Sequence, residues 1–104
     1  MVIKWSENAV NDLREYKRCS QIYTQNKLDN YIVSLTNHID NLYISPRLGK
    51  LLFIHNNFEF RQLIYKMHKI FYSIHDNQIY ILTVVHTSYN IEDTVKYLSN
   101  LFYK

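Results

Sequence analysis

The run RQLIYKMHKIFYSIHDNQIYILTVVHTSYN, from Arg61 to Asn90, decides the fold. Large apolar residues alternate from Phe58 to Tyr65, and aromatic and β-branched types crowd His68 to His75, so both segments predict strands. Asp76-Asn77 between polar ends predicts a tight hairpin turn. Gln78 to His86 follows with Ile79, Tyr80, Ile81, Leu82, Val84 and Val85. A strand apolar on both faces belongs inside its sheet rather than at an edge.

Outward from this core the elements become helical. Upstream, Leu28, Ile32, Leu35, Ile39 and Leu42 step by four and three residues and form one apolar stripe. Pro46 and Gly49 then turn the chain toward Leu51–His55, a short additional strand. Earlier still, Val2-Ile3-Lys4-Trp5 predicts a strand and Ser6 an N-cap. The cap opens a helix over Glu7 to Arg18, with Ala9, Leu13 and Tyr16 at helical spacing. Downstream, Asn90 caps a last helix whose stripe is Ile91, Val95, Leu98 and Phe102. The expected architecture is one α+β domain spanning residues 1–104. It has an N-terminal strand and a helical hairpin packed on a twisted, mainly antiparallel sheet, in the order β-α-α-β-β-β-α. The final helix covers the other face of the sheet or lies along its edge. Tyr31, Tyr72 and Tyr80 are assigned to the core, and Tyr65 and Tyr89 to the surface.

Composition narrows the class. The chain has 104 residues, 47% of them apolar, with one glycine, one proline and one cysteine. Such a chain is globular with long regular elements, and the lone Cys19 suits a reducing compartment. No apolar run reaches membrane-span length, so a cytoplasmic protein without a membrane partner is expected. The five histidines are scattered. His68 and His75 fall on opposite strand faces, which speaks against a shared metal, and no motif for a cofactor is present.

The formal charge of +3 concentrates in residues 47–69, where Arg47, Lys50, Arg61, Lys66 and Lys69 stand against Glu59, with His68 nearby. A basic patch of this kind attracts phosphate or an acidic protein segment. Arg61 lies in a strand on the same face as Glu59, Leu63 and Tyr65. It reads equally as a phosphate-binding fork or as the ion partner of Glu59. His86 ends the last strand, and Tyr89 and Asn90 follow it. Sites often lie beyond strand ends, and histidine there can move protons.

Ile3-Lys4-Trp5-Ser6 with Ala9 and Asp12-Leu13, Pro46 and Gly49, Phe60-Arg61-Gln62-Leu63, His68-Lys69-Ile70-Phe71-Tyr72 and the run from Ile79 to His86 together resemble the RelE/ParE superfamily of bacterial toxins. The resemblance implies the toxin of a type II toxin–antitoxin system, bound by a cognate antitoxin in a toxin–antitoxin hetero-oligomer. Two activities follow from it. RelE-like members cut messenger RNA on the ribosome; that would make Arg61 and Lys69 phosphate-stabilising cations and His86 or Tyr89 the proton carrier. ParE-like members poison DNA gyrase and are not themselves enzymes. The stretch Thr87-Ser88-Tyr89-Asn90 has no Arg or Lys, and His86 is followed four residues on by Asn90, so the ParE-like reading is preferred. A non-toxic RNA- or protein-binding module is the third reading.

Overall fold

A computed structural model describes residues 1–19 and 25–87. Strand β1 (Val2–Trp5) leads into helix α1 (Glu7–Cys19), and helix α2 (Gln25–Asp40) runs into a 3₁₀ turn at Asn41–Tyr43. Four strands follow: β2 (Lys50–His55), β3 (Phe58–Tyr65), β4 (His68–His75) and β5 (Gln78–His86). They join β1 in one sheet of order β1-β5-β4-β3-β2. All pairs are antiparallel except β1 with β5. The α+β architecture read from the sequence is therefore present, and Leu51–His55 is a full member of the sheet. The helix expected from Ile91, Val95, Leu98 and Phe102 lies outside the described residues.

Two hairpins close through left-handed pairs: Asn56 and Asn57 between β2 and β3, and Asp76 and Asn77 between β4 and β5. Asn and Asp tolerate positive φ, and two such residues twist a hairpin in the sense its strands require. Lys66, also at positive φ, turns β3 into β4 without that help.

Strand alternation sets the layers. Glu59, Arg61, Leu63 and Tyr65 face the same side as His68, Ile70, Tyr72 and Ile74, because these residues pair in register. Leu63, Ile70, Tyr72, Ile74, Ile79, Ile81 and Val84 join Ala9 of α1 and Leu35 and Ile39 of α2 in the core. Leu42, the end of the predicted helical stripe, is fully buried in the 3₁₀ turn. Tyr80, assigned to the core by its apolar surroundings in the sequence, is instead exposed on the opposite face. Its neighbours there are Lys4 and Ser73, not the helices.

Helix α1 is fastened to β5 at a β-bulge. The register passes from Phe71–Thr83 to Tyr72–Ile81, which makes Leu82 the extra residue. Ser6 caps α1 by accepting from the Ala9 N–H (3.0 Å) and donates its own hydroxyl to the Leu82 carbonyl (2.8 Å). One carboxylate oxygen of Asp12 accepts from the Val84 N–H (2.9 Å) and the Thr83 hydroxyl (2.6 Å). The irregular backbone is thus satisfied by side chains of α1, as buried polar groups require. No helix of the described residues is long and apolar enough to cross a membrane.

Candidate functional site

Two polar clusters occupy opposite ends of the helix-bearing face. Glu59 and Tyr65, one in each, are six residues apart on β3, roughly 20 Å at the usual strand rise.

The first cluster is an ionic knot beside the sheet edge. Glu59 accepts from Arg47 (Nη2, 2.6 Å; Nε, 3.1 Å) and from Arg61 (Nη2, 3.0 Å; Nε, 3.2 Å). The remaining Nη1 of Arg61 donates to the Gly49 carbonyl at 2.7 Å. The Arg61 side chain is only 12% exposed. Its fork is thus taken up by the carboxylate and the loop carbonyl, which fixes residues 46–49 over the sheet. Arg47 first, then Arg61, hold the Glu59 carboxyl below its usual range. Tyr72 completes the anchor: its hydroxyl accepts from the Gly49 N–H (2.9 Å) and donates to the Pro46 carbonyl (2.7 Å). Burial pushes that phenol up. Gly49 has to be glycine, since a Cβ would meet the Gln62 carbonyl oxygen at 2.5 Å and the Tyr72 ring at 2.8 Å.

The second cluster is aromatic. His68 is 3% exposed, pairs in register with His86, and stacks edge-on against the ring of Tyr16 at 4.6 Å and that of His86 at 5.7 Å. The Tyr31 hydroxyl and His68 Nδ1 are hydrogen-bonded at 2.7 Å. Burial, aided by His86, pushes the His68 imidazole down to about 4. It is therefore uncharged near neutral pH. Tyr65 packs on both Tyr31 and His38, and Lys66 stands over its ring. Beside this cluster lies a depression of about 350 Å³ with Tyr16, Leu28, Tyr31 and Met67 as its walls and Lys27 and Lys66 at its border. No local pattern marks it, because its residues come from α1, α2 and the β3–β4 turn.

The cations contiguous in sequence do not stay together. Arg61 pairs with Tyr72, whereas Lys69 pairs with Ile64 on the other strand face, so the two do not converge on one phosphate. Lys50 lies exposed at the β2 edge and Lys66 at the far turn. His68 is inside rather than on a basic surface. His86 is half-buried beside His68; Tyr89 and Asn90 lie outside the described residues.

This fold, with its helical pair on one face of a β1-β5-β4-β3-β2 sheet, can be set against known proteins. A family model described as the ParE toxin of the type II toxin–antitoxin system parDE matches residues 3–91. The chain belongs to the ParE toxin family. A search of curated proteins finds no match. Among solved structures, one titled as the chromosomal ParDE toxin–antitoxin system from P. aeruginosa has a TM-score of 0.66 at 15% identity. That alignment covers 83% of this chain and 95% of the other, and it shows a shared ParE-like fold. The matched span includes the Ile3-to-Ser6 opening and the strand from Ile79 to His86.

Proposed function

We propose that this ParE-family toxin arrests bacterial growth by poisoning DNA gyrase, without bond-making chemistry of its own, and that a cognate antitoxin neutralises it in the cytoplasm. The observation that carries the choice of mechanism is the disposition of Arg61 and Lys69. A phosphate-cleaving site needs cations converging on one developing charge. Here Arg61 is held by Glu59 and the Gly49 carbonyl, and Lys69 belongs to the opposite face. The neutral, buried His68 also supplies no positive charge to a phosphate. Target contact falls instead to exposed cations, Arg47, Lys50 and Lys66, with Lys69 on the other side of the sheet.

Induction of the chain alone, followed by a supercoiling assay with purified gyrase, tests the reading. Growth arrest with lost supercoiling or trapped DNA cleavage is expected. Arrest accompanied by transcript cutting only on ribosomes would replace it with the ribonuclease reading. Normal growth with abundant folded protein would remove both and leave a binding module.

A further inference from the structure

The sheet has a second face, away from α1 and α2, and its centre is closed to water. Phe60 and Gln62 of β3 alternate with Arg61 and Leu63, and Phe71 and Ser73 of β4 alternate with Ile70 and Tyr72. All four therefore point away from the core shared with the helices. Each is nevertheless no more than 6% exposed. Phe53 and Phe58 extend the apolar strip to β2, with ring centres 4.5 and 6.2 Å from that of Phe60. Aromatic rings buried on a sheet face require a further layer against them. Both described helices pack on the other side, and residues 20–24 join those two helices to each other.

The width of the strip selects the cover. Ile64, 55% exposed, and Tyr80, 36% exposed, lie on the same face at its two borders. The closed strip between them has about the breadth of one helix with its side chains, roughly 10 Å. A second copy of the chain, offering a whole face, would cover Ile64 and Tyr80 as well. The chain leaves β5 beside the β3–β4 turn, where the Thr87 N–H donates to the Met67 carbonyl (2.8 Å). Residues 88–104 follow, and in them Ile91, Val95, Leu98 and Phe102 recur at helical spacing. A helix rises about 17 Å from the first of these to the last. Crossing the sheet from β5 to β2 takes roughly 14 Å at the usual strand spacing. We infer that residues 91–102 lie across the second face from β5 toward β2, with Val95, Leu98 and Phe102 against Phe71 and Phe60. The family match stops at residue 91, so this layer is not carried over from it. It closes the second face to partners and leaves Lys69 at its rim.

The test uses the full chain and nuclear Overhauser contacts. Contacts are expected, within one molecule, from the methyls of Val95 and Leu98 and the ring of Phe102 to the rings of Phe60 and Phe71. Leu98→Asp is expected to remove them and to raise the fluorescence of added anilinonaphthalenesulfonate at least threefold. The contact between Tyr16 and His68 on the other face should persist in that variant, showing that the fold is kept. Asn100→Asp, on the opposite side of the helical stripe, is expected to change neither reading. Should the aspartate variant not fold, Leu98→Ala is the second variant, with weaker contacts and a dye signal raised in the same direction. Absence of the contacts in the native chain overturns the inference. Contacts found only between molecules, in a mixture of labelled and unlabelled chains, overturn it in favour of a second copy. Equal dye signals from the Leu98 and Asn100 variants overturn it too.

Discussion

Acidification should destabilise this protein above the pH at which its carboxylates begin to protonate, and His68 is the cause. Tyr16 from α1, Tyr31 from α2, Tyr65 from β3 and His86 from β5 surround its imidazole. Burial, and secondarily His86, lower its pKa from 6.5 to about 4 in the folded state. The sign follows from proton counting. Between those values the unfolded chain holds a proton that the folded chain refuses, so stability is complete above pH 6.5 and drains away as pH falls toward 4. Between pH 7 and pH 4.5 the linkage integrates to roughly 2 to 3 kcal/mol, a large share of the stability of a small domain. Glu59 and Asp29, whose carboxyls are lowered by Arg47 and by Lys17 respectively, add losses of their own mainly below that window. Urea unfolding at intervals from pH 7 to 4.5 would measure the slope in the native chain and in His68→Phe. The variant loses a hydrogen bond at every pH, so its stability is lower throughout, but its curve should be flatter by the amount above. Parallel curves for the two proteins, or a ring proton of His68 titrating with a midpoint near 6.5, would refute the reasoning.

Three substitutions test the side chains that fasten helix α1 and the loop before β2. Asp12→Ala removes the acceptor for the Val84 N–H and the Thr83 hydroxyl, and should cost about 2 to 3 kcal/mol in denaturant unfolding; Asp12→Asn, which keeps one acceptor oxygen, should cost less. Tyr72→Phe strips the Gly49 N–H and the Pro46 carbonyl of their shared hydroxyl, with an expected loss of about 1 to 3 kcal/mol by the same assay. Arg61→Ala should lower the thermal midpoint by several degrees, consistent with a loss of roughly 1 to 3 kcal/mol, while Lys69→Ala leaves it unchanged. Equal midpoints for Arg61→Ala and the native chain would show that the arginine does not anchor the loop.

The order of elements along the chain, the helical faces and the Asp76–Asn77 turn were legible because each is signalled within a few residues, by alternation, by helical spacing or by residues that tolerate positive φ. What could not be read required distant partners. Leu82 looks like any other apolar strand residue; only Ser6 and Asp12, seventy or more positions earlier, make a bulge there sustainable. Gly49 looks like a loop breaker, yet its lack of a side chain is demanded by Tyr72 and Gln62 on two other strands. The depression beside Tyr16 and Tyr31 assembles from three elements and has no local signature.

The basic patch shows why linear charge density is a weak guide to a site. Strand alternation sends neighbouring residues to opposite faces, and the two-residue turn at Lys66 and Met67 sets odd-numbered residues of β3 opposite even-numbered residues of β4, so cations on the two strands separate as the sheet forms. Arg61 and Lys69 divide in this way. The run also contains Glu59, two residues from Arg61 on the same face, and that spacing favours an internal ion pair over an open phosphate fork. Arg47, twelve residues from Glu59, then reinforces the pair and carries the loop with it. The arginine fork serves geometry here: it holds the loop before β2 in place and so defines the edge at which Lys50, Leu51 and Ile54 meet solvent. A toxin built this way separates the residues that position its surface from those that present charge on it. Changing Arg61 should therefore alter partner binding through the loop, with stability falling in parallel. Changing Lys50 should alter it through charge alone.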